Sequence, residues 1–206
     1  MHSKSKEEVV QEFRIQSIQD ATMRVIARRG MAAATMQEIA DEAGVAKGTI
    51  YLYFRDRDEL VEKTFDTAMQ TLFARIDEAL GREIPFEQKI RAVMAAKFSF
   101  FNANREFFRL YLSLRMPEGP AARQRRQKQH CQPQYRGRAE RLSDVLARAM
   151  DSGEIRRADP YKLALFIIEG STAIILDRLT EDSAGDEQTD VELIAGFILD
   201  GIRKRS

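Results

Sequence analysis

Within the seven positions from 47 to 53 lie Lys47, Gly48, Thr49, Tyr51 and Tyr53, with no carboxylate among them. An ammonium, hydroxyls and aromatic edges are groups that phosphates and base edges accept, and a glycine among them lets backbones approach closely. Arg55 and Arg57 follow directly, and Thr35 with Glu38 forms a T-x-x-E capping box twelve residues before Lys47. Other chemistry has little to work with. Cys131 is the only cysteine, and His2 and His130 are the only histidines, which leaves no multi-ligand metal site and no Ser-His-Asp set. Asp77 and Glu78 are adjacent, so on a helix they point apart and make no acid–base pair. We therefore expect no metal, no cofactor and no enzyme activity; a helical enzyme is the remote alternative.

The elements that must position these residues read as helices throughout. Hydrophobic residues make up 44% of the 206 and charged residues 32%, and the formal charge is +1, so any basic surface must be local. The most apolar run, Leu163 to Leu179, contains Glu169, Gly170, Ser171 and Asp177, which rules it out as a membrane span. No apolar leader follows the charged start, so a soluble, cytoplasmic protein is expected. Ile15, Ile18, Ala21, Thr22, Val25 and Ile26 mark one face of a first helix that stops at Gly30. The Thr35–Glu38 box opens a short helix from Met36 to about Ala43, which Gly44 ends, and a second short helix follows from about Ala46 to Phe54.

Two short helices around a tight turn are the arrangement in which the second enters the DNA major groove. Asp56 and Glu59 then cap a long helix, ending near Leu80 and Gly81, able to bridge two domains. Further helices are expected from Pro85 to the Asn102–Asn104 break, from Arg105 to Met116, from Gln134 to Ser152, from Pro160 to Thr180 and from Asp190 onward. The stretch 117–133 reads as a loop or frayed helix. The fold class is thus all-α, with about nine helices: a helix-turn-helix domain over 1–56 and a helical domain over 57–206.

Residues 34–61, ATMQEIADEAGVAKGTIYLYFRDRDELV, resemble the signature of TetR-type transcriptional regulators. The resemblance implies that Thr35 caps its helix with its hydroxyl toward a phosphate. It also implies that Lys47 and Thr49 reach base edges or backbone, with Gly48 allowing the approach. Tyr51 and Tyr53 would flank them, and Arg57 would clamp a phosphate at the start of the long helix. Two positions depart from the pattern: Ala46 replaces a frequent hydroxyl residue, and Leu52 stands where an aromatic is common. Phe54, four residues after Ile50, is expected to be packing.

A family member of this kind is a sequence-specific regulator, most often a ligand-responsive repressor that binds a palindromic operator as a homodimer. The helices at 160–180 and from 190 are apolar on several sides and need burial on two. Phe166, Ile167, Gly170, Ile174, Ile194, Ile198 and Ile202 are the expected dimer contacts; the alternative is an unusually thick core within one chain. Aromatics of the middle helices are equally explained by core packing or by a pocket for a small, largely apolar effector, lined by Phe98, Phe101, Phe108 and Tyr111 with Glu169 as a polar anchor; Arg105, Arg109 and Arg115 are read first as surface ion pairs and second as further anchors. The competing reading is a protein-binding adaptor that keeps the fold without reading DNA, which salt-dependent binding would distinguish.

Overall fold

A computed structural model describes residues 5–30, 33–105, 107, 133–180 and 186–204. Among them lie eight helices: α1 Lys6–Arg29, α2 Met36–Ala43, α3 Lys47–Tyr51, α4 Arg57–Gly81, α5 Phe86–Ala103, α6 Pro133–Asp151, α7 Pro160–Thr180 and α8 Glu187–Ile202. The helix expected over Arg105 to Met116 falls mostly outside the described residues, as do 117–132, Cys131 and both histidines. The only pairing outside helices among the described residues is an isolated antiparallel bridge, Ile155 with Arg203.

The described residues within 1–71 and 105–111 pack as one compact unit, and those within 72–104 and 112–206 as a second, the division falling inside α4. In the first, α1 packs against α2 and α2 against α3. Its core is Ile18, Ala21, Val25 and Ile26 from α1, Ile39 and Ala40 from α2, and Ile50, Phe54 and Leu60. Phe65 stacks on Phe107 with centroids 5.2 Å apart. Gln19 is buried and donates to the Thr67 hydroxyl at 3.1 Å, a polar tie from α1 to α4.

In the second unit α6 packs on α7 and α8 on α5. Lys97 of α5 is buried, and its ammonium donates to the Ile168 carbonyl (2.7 Å), Ser171 Oγ (2.7 Å) and Thr172 Oγ1 (2.8 Å) of α7. Three donors meet three acceptors, which offsets the cost of removing the charge from water. Arg178 of α7 is also buried; it pairs with Asp190 of α8 and donates to Asn102 of α5 at 3.4 Å. That pairing follows from an earlier start of α8 than expected: Asp186 accepts from the Gln188 amide and caps the helix, leaving Asp190 inside its first turn.

The chain's own packing corrects part of the expected dimer face. Ile167, Ile194, Ile198 and Ile202 are buried within the chain, so they fill its core rather than wait for a second copy. Ile174 and Gly170 are half-buried, and Phe166 is 69% exposed. Leu193 (49%) and Phe197 (69%) of α8 join Phe166 as exposed large apolar side chains. Helices that are apolar on most sides gave no polar stripe from which to tell the inner face from the outer.

Candidate DNA-binding site

The reading surface is built by three local devices. The first is the Thr35 cap: its hydroxyl accepts from the Glu38 amide at 3.2 Å, while its own amide donates to Glu38 Oε2 at 3.1 Å. The second is the turn. Gly44 ends α2 at φ 68°, a left-handed conformation that costs glycine little, and its amide bonds back into the last turn of α2. The third is the buried pair Ile50 and Phe54, fully and nearly fully covered, which anchor α3 by one side.

Anchored this way, α3 turns its remaining residues outward. Lys47 and Gly48 are exposed, Thr49 is half-buried, Tyr51 is 49% exposed and Tyr53 is half-buried. The five expected residues are therefore brought together on one short element and the turn after it. Regular helix stops at Tyr51, three residues earlier than the pattern suggests, with the Tyr53 and Phe54 amides both bonding to the Ile50 carbonyl at 3.0 Å. Ala46 is the N-cap and supplies no side-chain bond, so five residues are held by tertiary packing alone.

Thr35 and Arg57 lie at the edge of this surface with their groups already engaged. The Thr35 hydroxyl donates to Glu38 Oε2 at 3.0 Å, so the proton that the family pattern directs to a phosphate belongs here to the capping box. Arg57 Nε donates to the Ala34 carbonyl at 2.6 Å, tying the start of α4 to the residue before the cap. Arg55 contacts Asp56 at 2.9 Å across an exposed surface. Behind the site, Glu42 of α2 receives both Arg24 Nε (2.6 Å) and Arg28 of α1. Fourteen and eighteen residues separate these partners, a distance at which no sequence spacing signals a pair.

The surrounding carboxylates are held ionised. Hydrogen bonds from the Thr35 side chain and backbone, then Arg29 and Arg28, put Glu38 below the ordinary carboxylate value. Bonds from Arg28 and then Arg24 do the same for Glu42. The Glu59 amide, then Arg55, lower Asp56. A carboxylate with a lowered folded value stabilises the fold above its unfolded value, about 4, and that contribution is lost as pH falls through the folded value. All three are half-buried and still reached by solvent, so the effect is modest. We expect thermal melts to hold their midpoint from about pH 8 to 5 and to drop progressively below about pH 4, with Glu42→Gln flattening part of that drop.

The effector-side residues are arranged differently. Phe98 and Phe101 are both 1% exposed, and Phe100 meets Phe101 edge to face at 5.4 Å, so these rings form core. Glu169 is exposed on α7. Phe108 and Tyr111, with Arg109 and Arg115, lie outside the described residues. No helix among the described residues is long and apolar enough to cross a membrane, and they contain no group of three or more His, Cys, Asp or Glu able to hold a metal.

Comparison with known proteins agrees with this geometry. Residues 18–64 match the family of bacterial regulatory proteins, tetR family, a span that covers α2, α3 and their supports in α1 and α4. The fatty acid metabolism regulator protein of Bacillus subtilis (strain 168) is 26% identical over 181 residues, 88% of this chain and 89% of the relative. Among solved structures, the fatty acid degradation regulator FadR from Bacillus halodurans shares the fold at a TM-score of 0.77 with 21% identity, over 99% of this chain and 100% of that one. FadR from Bacillus subtilis, solved in complex with stearoyl-CoA, does so at 0.73 with 23% identity, over 91% and 99%. The match across the helix-turn-helix, the regulator relative that spans most of the chain and the shared all-helical fold place a tetR-family DNA-binding segment at residues 18–64 of a DNA-binding transcriptional regulator.

Proposed function

We propose that the chain is a repressor that binds a palindromic operator as a homodimer and lets go when an effector with a long apolar chain binds. One observation carries the reading: α3 has no carboxylate and presents Lys47, Gly48, Thr49 and Tyr51 from a buried anchor at Ile50. Such a helix offers donors and ring edges to a major groove and nothing that repels phosphate. Tyr53 extends the contact, and Thr35 and Arg57 frame its edge. On this reading a DNA-reading domain occupies residues 1–56 and residues 57–206 dimerise and take the effector, in the cytoplasm. One such head covers only a few base pairs, so two copies placed one helical turn apart, about 34 Å, supply the specificity. Phe166, Leu193 and Phe197, with Gly170 and Ile174, form the face for the second copy.

The relatives support this effector class. A FadR structure holds stearoyl-CoA, and this chain concentrates aromatics in its own middle helices. Phe98 and Phe101 are the contacts we assign to an acyl chain. Because Phe98 and Phe101 are closed into core, an entering chain must part them, and that displacement is the means by which binding favours a second conformation. Selection of bound sequences from random duplex DNA should yield an inverted repeat. Adding stearoyl-CoA should then weaken binding to it roughly 5- to 150-fold, the range of ordinary allosteric coupling. A selected site without two-fold symmetry would overturn the dimer reading, and affinity unmoved by saturating stearoyl-CoA would overturn the effector reading.

A further inference from the structure

Half of α1 stands outside the core of its unit. No residue from Lys6 to Ser17 is buried, whereas Ile18, Ala21, Val25 and Ile26 beyond them are. Twelve residues at about 1.5 Å each make an arm of about 18 Å. Its start is secured by a capping box in which the Ser5 hydroxyl accepts from the Glu8 amide at 3.2 Å and the Ser5 amide donates to Glu8 Oε2 at 2.7 Å. One stripe of the arm, Lys6, Val10 and Arg14 at i, i+4 and i+8, faces Leu52 and Tyr53 at the end of α3. Between them runs an open groove of about 540 Å³, in which Gln11 and Glu7 also take part.

Three properties define what fits there. The groove is continuous with the DNA-reading surface, because Leu52 and Tyr53 directly follow the last residue of α3. Its arm wall carries two cations, about 12 Å apart along the helix, against the single carboxylate of Glu7. Between those cations lie apolar atoms, Val10 opposite a Leu52 that is 77% exposed. An alternation of cation, apolar surface and cation matches a strand in which anionic phosphates flank less polar sugars. A purely apolar partner would leave Lys6 and Arg14 desolvated, at a cost.

We propose that the sugar–phosphate backbone of duplex DNA lies in this groove. Lys6 and Arg14 each meet a phosphate, and Val10 and Leu52 pack on the intervening sugars. Each head then holds the duplex by its α1 arm as well as by α3, which lengthens the contacted site without adding sequence information. This rests on the DNA reading given above.

The test uses the full chain and a duplex recovered by selection from random DNA. Lys6→Ala/Arg14→Ala should reduce the slope of log K against log[salt] by about 0.9 for each phosphate that is no longer neutralised, roughly 1.8 per head. Affinity at about 150 mM salt should fall about tenfold or more, and the selected sequence should stay the same. Glu7→Gln removes a like charge beside the strand and should tighten binding by about twofold to threefold. These side chains are exposed, so unchanged thermal melts will confirm that the variants fold. Wild-type slope and affinity in the double variant, or weaker binding by Glu7→Gln, overturns the proposal. If that happens while Lys47→Ala still weakens binding, the arm contact alone is wrong; if the wild-type chain selects no sequence and binds without salt dependence, the DNA reading falls with it.

Discussion

Replacing Phe166 and Phe197 together by alanine should convert the protein from dimer to monomer at micromolar concentration. Both rings are 69% exposed on the single chain, an unusual state for two phenylalanines on apolar helices. In a two-fold dimer the double variant removes four buried rings. At about 1.5 kcal/mol each, the lower end for a fully buried phenylalanine because part of each ring is already covered, the effect is about 6 kcal/mol, or roughly 10⁴-fold in the dimer dissociation constant. Sedimentation velocity over a concentration series reads this directly. Operator binding should fall with it, since two linked heads gain affinity that single heads lack.

Gly170 provides a control of opposite sign. A Cβ there would meet no heavy atom within 4 Å of its own chain, so the position tolerates a side chain in the protomer. Gly170→Leu should leave the protomer as stable or slightly more stable, because leucine favours helix over glycine by somewhat under about 1 kcal/mol, yet it should still weaken the dimer. If both variants sediment as dimers of wild-type strength, the outer face of α7 and α8 is not where the second copy binds.

The second large effect separates holding α3 from using it. Ile50 is fully buried and is the main anchor of a five-residue helix that has no side-chain cap. Ile50→Ala should cost about 2–5 kcal/mol of stability, the sum of forfeited transfer energy and a cavity. A helix this short does not persist without packing, so DNA binding should be lost before the rest of the chain unfolds. Tyr51 is the next residue and is half in solvent. Tyr51→Ala should change the denaturant midpoint little, within about 0.5 kcal/mol, while weakening operator binding by about 1–3 kcal/mol, roughly 5- to 150-fold. Equal effects of the two substitutions on both stability and binding would mean that Tyr51 is packing and that α3 does not read DNA.

The helix-turn-helix match at residues 18–64 decides between regulator and enzyme, and the relatives that match are transcriptional regulators. How the remaining structure relates to sequence differs from one element to the next. The Thr35–Glu38 box, the left-handed Gly44 and the Asp56–Glu59 start of α4 stand where the residues place them, since each depends on groups only a few positions apart. Phe54 and Ile50 share a buried side for the same reason. By contrast, Gln19 with Thr67, Arg57 with the Ala34 carbonyl and Lys97 with α7 join groups 23 to 75 residues apart, and no local pattern encodes such partners.

Sequence alone determined which segments coil and which short helix lacks negative charge, because helix caps, glycine conformations and a 3.6-residue stripe are all properties of neighbours along the chain. Only tertiary structure decided which side of an apolar helix turns inward. On α7 and α8 either side would satisfy the hydrophobic effect, so Ile167 and Ile198 became core while Phe166 and Phe197 remained outside through shape and packing against α5 and α6, which the order of residues does not display.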